Sequence, residues 1–117
     1  MKASTKEEIV NQVVEEIYNA YPNLWEKFGE NGHKRTIEDN FHHLNHLETA
    51  CELDDEKYFT DYTKWLESVL TSRNVGTHLI IDNFERLIEA IPGKVEKDDE
   101  KKYLHFLKKG IAVLKVT

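Results

Sequence analysis

The chain has little of what most other fold classes depend on. A single cysteine in 117 residues excludes an internal disulfide framework and fits a reducing compartment, so a cytoplasmic protein is expected. Two prolines and five glycines leave little punctuation for a strand-and-turn architecture. No apolar run approaches the length that spans a bilayer, and the stretch MKASTKEEIV lacks the apolar segment of a signal peptide. Positive charge is not in excess either. A formal net charge of −6, with mixed-sign runs such as KDDEKK, argues against nucleic acid and against anionic membranes as partners. There is no Gly-rich phosphate loop after a strand, no Gly-x-Ser-x-Gly elbow and no Cys-x-x-Cys pair, so a non-enzymatic protein is expected.

What the chain does have is helical periodicity. Hydrophobic content of 39% with 32% charged residues suits helices with one buried and one solvated face. The pattern predicts an all-α, single-domain helical bundle over residues 1–117, with five main helices and one short one. Ser4 or Thr5 is expected to cap the first helix, whose Ile9, Val10, Val13, Ile17, Ala20 and Tyr21 share a face before Pro22 stops it. Pro22 opens a short helix to Phe28, and GENG is expected to be a loop.

A third helix, from about Lys34 to Glu52, shows an apolar stripe of Ile37, Phe41, Leu44, Leu47 and Cys51. Asp39, His42 and His46 lie opposite that stripe, and His43 sits on its border. The link LDD supplies Asp54 or Asp55 as a cap for an antiparallel fourth helix, from about Asp55 to Ser72. That helix carries a broad face including Tyr58, Phe59, Tyr62, Trp65 and Leu66, with Arg73 coming round to its centre. Thr77 is expected to cap the next helix, where Ile80, Phe84, Leu87 and Ile91 face inwards. Asp98 or Asp99 starts a last one with Tyr103, Leu104, Leu107, Ile111 and Leu114 as its stripe.

The residues able to carry chemistry cluster between Thr36 and Arg73. Asp39, His42 and His46 have a spacing that suits a divalent transition metal if other elements complete the sphere; the simpler expectation is a solvated helix face. His42-His43-Leu44 matches the start of the His-x-Leu-Lys-Gly pattern of phosphotransfer domains, but Asn45 and His46 replace its lysine and glycine. Glu48 interrupts the apolar stripe and is expected to meet the hydroxyl of Tyr58 or Tyr62. Arg73 cannot lose its charge, so a stripe position demands a carbonyl, a route to water, or an anion or partner. Tyr58, Phe59, Tyr62 and Trp65 suit a core more often than a ligand pocket, and Cys51 is expected to be an inert thiol.

Asp39, His43, Leu44 and Leu47, followed by Phe59, Asp61, Tyr62, Trp65, Leu70 and Arg73, form a pattern that resembles a helical module of bacterial sensory proteins, including ones with cobalamin-binding domains. The resemblance covers about 35 residues of the middle of the chain. It implies a non-catalytic regulatory or ligand-sensing module that meets a protein partner or a small-molecule ligand through Asp39, His43, Tyr62, Trp65 and Arg73. No cofactor is implied. The Asp-x-His-x-x-Gly signature of the cobalt lower ligand is missing, so cobalamin would be met only as by a cap over its upper face. Asp39 is expected to orient His43 and raise its pKa, with Arg73 at the same end of the helix pair. Such a cluster would bind a small anion or fix the packing of the two helices. A metal-binding bundle and a plain homo-oligomerisation module, such as a homodimer with the Asp39, His42 and His46 face covered by a second subunit, are the alternatives.

Overall fold

The computed structural model describes residues 1–116, in which five helices surround one contiguous hydrophobic core. They are α1 (Ala3–Ala20), α2 (Asn23–Leu53), α3 (Glu56–Ser72), α4 (Thr77–Ala90) and α5 (Lys97–Lys115). The molecule measures 40 × 32 × 18 Å, so its short axis is about two helix diameters. α2 packs on α1, α3 and α5, while α4 packs on α1, α3 and α5. No helix among the described residues is long and apolar enough to cross a membrane.

Apolar periodicity sets the side of each helix that meets the core, but the buried residues depart from the expected stripes. In α3 Trp65 is exposed, and in α5 Phe106 and Gly110 are buried while Leu104 and Ile111 are half-buried. In α1, Ile9, Val10, Val13, Val14, Ile17 and Tyr18 are buried, two neighbours per turn. The helix starts earlier than its capping pattern suggests: Lys2 is the N-cap and no side chain caps it, so Ser4 and Thr5 lie inside the first turn. Its end is as expected, since Pro22 removes a donor and the Tyr21 N–H closes the last turn on Ile17.

The expected GENG loop shrinks to one residue. Gly29 takes φ 66° and ψ −163°, a backbone open to glycine, and helix resumes at once through Glu30, Asn31 and Gly32. The short helix is thereby joined to the long one across a kink. This places Leu24 and Phe28 over the same end of the bundle as Thr36 and Asp39.

The buried face of α2 is also rotated from the expected stripe. Asn40, His43, Leu44, Leu47 and Ala50 are buried, whereas Ile37, Phe41 and Cys51 are only half-buried. Among the described residues Glu48 does not hydrogen-bond Tyr58 or Tyr62; it pairs with Lys6 and with the Met1 amino group (2.6 Å). Burial would raise its carboxyl, but the hydrogen bonds and then the charges of these two cations together hold it below the usual range.

Asp55 caps α3 by accepting from the Lys57 N–H at 3.0 Å, after Asp54 turns the chain in the left-handed region (φ 48°). Gly76 rather than Thr77 is the N-cap of α4, and the Thr77 hydroxyl instead donates to Glu67 at 2.8 Å. Ile80, Phe84, Leu87 and Ile91 are buried as their spacing predicts. α5 begins at Lys97, so Asp98 and Asp99 fall in its first turn, where a carboxylate suits the helix dipole.

Gly110 on α5 lets two aromatic rings meet backbone. A Cβ there would lie 3.0 Å from Phe84 Cε2, 3.0 Å from Thr63 Oγ1 and 3.1 Å from Phe59 Cε2. Phe59 and Phe84 are themselves fully buried and have no room to retreat. Gly110→Val should therefore lower the free energy of unfolding by about 2 kcal/mol, measured by urea titration.

Candidate functional site

One end of the bundle holds a partly open cavity of about 140 Å³, lined by α1, both parts of α2, the α3–α4 corner and α4. Its apolar wall includes Ile17, Leu24, Phe28, Leu70, Leu79 and Ile80. Its polar wall includes Asp39, His43, Arg73 and Asn83. The antiparallel run of α2 and α3 puts Arg73, at the C-cap of α3, opposite the N-terminal half of α2. Asp39, His43 and Arg73, expected to cluster, all line this cavity.

The internal wiring of that cluster differs from expectation. His43 does not pair with Asp39. It is 2% exposed, and its Nδ1 shares a 2.7 Å hydrogen bond with the Tyr62 hydroxyl. Its ring also packs edge-on against Phe84, with centroids 5.3 Å apart. Burial, and then the neighbouring His42 and His46, push its pKa down to about 3, the reverse of the expected rise. The imidazole is therefore neutral at physiological pH. Tyr62 is pushed up, by burial first and by the Asp39 charge second.

Asp39 is half-buried, and burial raises its carboxyl above the ordinary value despite the opposing pull of His42, Arg73 and Arg35. It accepts no hydrogen bond and makes no ion pair among the described residues. Arg73 is exposed at the rim and caps α3 through its backbone N–H, bonded to Leu70 and Thr71. Its position outside the apolar stripe follows from the helix ending at Ser72. Every fully buried side-chain N or O among the described residues has a partner. The Asp39 carboxylate and His43 Nε2, which have none, are thus groups that the cavity leaves accessible.

Asn40 and Asn83 escape the periodicity reading, yet they fix the site. Their amides exchange two hydrogen bonds, Asn40 Nδ2 to Asn83 Oδ1 at 3.1 Å and Asn83 Nδ2 to Asn40 Oδ1 at 2.7 Å. Asn40 Nδ2 also donates to the Thr36 carbonyl at 2.9 Å. The pair ties α2 to α4 beside the cavity. The signal was present in the chain: Asn40 lies four before Leu44 and seven before Leu47, a core position that obliges an amide to find a partner.

Tyr62 and Trp65 belong to a second place. His42, His46, Tyr58, Asp61, Tyr62 and Trp65 line an open groove on the outer side of α2 and α3. His46 stacks on Tyr62 with ring centroids 3.8 Å apart, and Trp65 is 59% exposed. The candidate metal set is split by this arrangement, since Asp39 lines the inner cavity while His42 and His46 line the groove. His46 Nδ1 is taken by the His42 carbonyl at 2.8 Å. Among the described residues, no group of three His, Cys, Asp or Glu side chains is placed to hold a metal ion. Cys51 is half-buried against Asp99 (3.7 Å), and burial followed by that carboxylate pushes its thiol up, away from reactivity.

Comparison with protein-family models, with curated proteins and with solved structures finds no match.

Proposed function

We propose that the chain is a non-catalytic, ligand-sensing regulatory module of the cytoplasm whose ligand occupies the cavity between α1, α2 and the α3–α4 corner. The observation that carries this reading is an amphipathic cavity whose polar wall holds groups without protein partners. A solvated groove offers no such balance; a preformed pocket with a few convergent polar groups is the usual form of a small-molecule site. Its volume suits a molecule about the size of a benzene ring, so a macrocycle such as cobalamin would reach only the rim.

A sensor must also pass occupancy to its surface. Tyr62 supplies the route, because its hydroxyl holds His43 on the cavity wall while its ring stacks on His46 in the outer groove. A ligand that engages His43 Nε2 shifts the ring that Tyr62 bonds, and Tyr62 carries the shift to His46 and Trp65. Asp39 and His43 are not bonded to each other, so no acid–base relay is built into the wall.

Methyl NMR under xenon pressure tests the first part. Signals of Ile17, Leu70, Leu79 and Ile80 should shift, those of Leu107 and Leu114 should stay, and Leu79→Trp should abolish the response. With imidazole, a probe small enough for the cavity and able to hydrogen-bond His43 Nε2, the Trp65 indole signal should move, and by roughly half as much in Tyr62→Phe, which lacks the shared hydrogen bond. Cavity methyls that do not respond would overturn the reading.

A further inference from the structure

Resting on the reading of the cavity as a ligand site, we propose that it takes a small zwitterion with an apolar side chain, of which an apolar α-amino acid is the simplest member. Asp39 receives the ammonium group, Arg73 receives the carboxylate, and the side chain enters between Leu24, Leu70, Leu79 and Ile80.

Two charges of opposite sign line this cavity without touching each other. Asp39 and Arg73 feel one another electrostatically, yet neither makes an ion pair among the described residues. Collapse of the two into a salt bridge would satisfy both and close the site. Held apart, they present an acceptor and a planar donor fork to a molecule that carries both complements. Arg35, also on the lining, adds a second cation for the carboxylate.

The alternatives satisfy less of the wall. A simple anion would use the arginines but would meet the Asp39 charge; a simple amine would use Asp39 but would meet two guanidinium groups. An uncharged hydrophobe would fill the apolar wall and leave both charges without partners. The raised pKa of Asp39 fits the same picture, since burial without a compensating donor is what raises it, and an arriving ammonium supplies that donor. At about 140 Å³ the cavity as a whole takes an isobutyl or benzyl group, with the charged end of the molecule left at the rim where Arg73 is exposed.

Calorimetric titration of the full chain with L-leucine, 3-methylbutylamine and 4-methylpentanoate separates the contributions. Leucine should bind about tenfold or more tighter than either half-molecule, as expected when each end makes a charge-assisted hydrogen bond. Arg73→Met should remove about that factor for leucine and for the acid while leaving the amine unchanged, and Arg73→Lys should recover part of it. Asp39→Asn should weaken leucine and the amine but not the acid. Melting curves alongside show that the variants are folded. Acid binding as tightly as leucine, or amine doing so, would overturn the zwitterion. Xenon-shifted cavity methyls with no binding of the three compounds would overturn the ligand class and leave the cavity reading standing. A silent cavity in both experiments would overturn both.

Discussion

Lowering the pH from about 7 to 4.5 should remove roughly 2–3 kcal/mol of folding stability through His43 alone, and about 4 kcal/mol by pH 3. The folded protein keeps this imidazole neutral, with a pKa of about 3, whereas in the unfolded chain it titrates near its ordinary 6.5. Between those values the unfolded state binds the extra proton and the folded state does not. Stability therefore rises with pH across the window and is lost as pH falls through 6.5 towards 3. The cause is burial: an imidazolium between Tyr62 and Phe84 would lose its hydration and gain only one hydroxyl contact.

Two other groups titrate with known sign and are separable. Glu48 is held below its ordinary 4.5, so its stabilising pair with Lys6 is lost only at lower pH than most of the His43 effect. Asp39 is raised, so protonation on acidification favours the folded state and opposes the trend. Urea titrations of wild type and His43→Gln at several pH values cancel both. The variant should be less stable near neutrality yet lose the slope between 6.5 and 4.5. Parallel slopes in the two proteins would show that His43 is protonated in the folded state.

The same residue shows where sequence and structure part. Helical periodicity was enough to place all five helices and the inward face of α4, because there the apolar residues recur without interruption. In α1 it found Ile9, Val10, Val13 and Ile17 but passed over Val14 and Tyr18 and included the exposed Ala20. It misplaced the face of α2, where Asn40 and His43 occupy core positions and the half-buried Ile37 and Phe41 drew the stripe aside. Spacing can mark a polar residue such as Asn40 as a core candidate, but partners are what distinguish such residues from ones at the edge of the stripe. Those partners, Asn83 and Tyr62, lie 43 and 19 residues away on other helices. Glu48 failed for a related reason, since its partner Lys6 is on α1 and not on the helix next in sequence. Arg73 was placed at the correct end of the helix pair by antiparallel geometry alone. That it borders a cavity depended on Gly29, whose single left-handed residue turns the start of α2 over that end, where a four-residue loop had been expected.

Asn83→Ala should cost about 3 kcal/mol, more than the two hydrogen bonds it removes. Asn40 is fully buried and would keep one amide contact to Thr36 while its Oδ1 lost the 2.7 Å donor. Desolvation of that oxygen then goes uncompensated, and the missing amide leaves space beside the existing cavity. The double variant Asn40→Leu/Asn83→Leu removes both polar ends and should recover stability to within about 1 kcal/mol of wild type, because no orphan remains. A double-mutant cycle by urea unfolding should give a coupling of about 2 kcal/mol between the two positions. Strictly additive losses would mean that water from the cavity satisfies whichever amide is left. The recovered double variant also separates stability from recognition. Asn40 stands one residue after Asp39 and three before His43, and its link to α4 sets where both face the cavity wall. Leucine side chains can refill the volume but carry no directional bond. The variant should therefore melt near wild type and still bind the zwitterionic probe more weakly, by about tenfold, as the charged groups lose their fixed register.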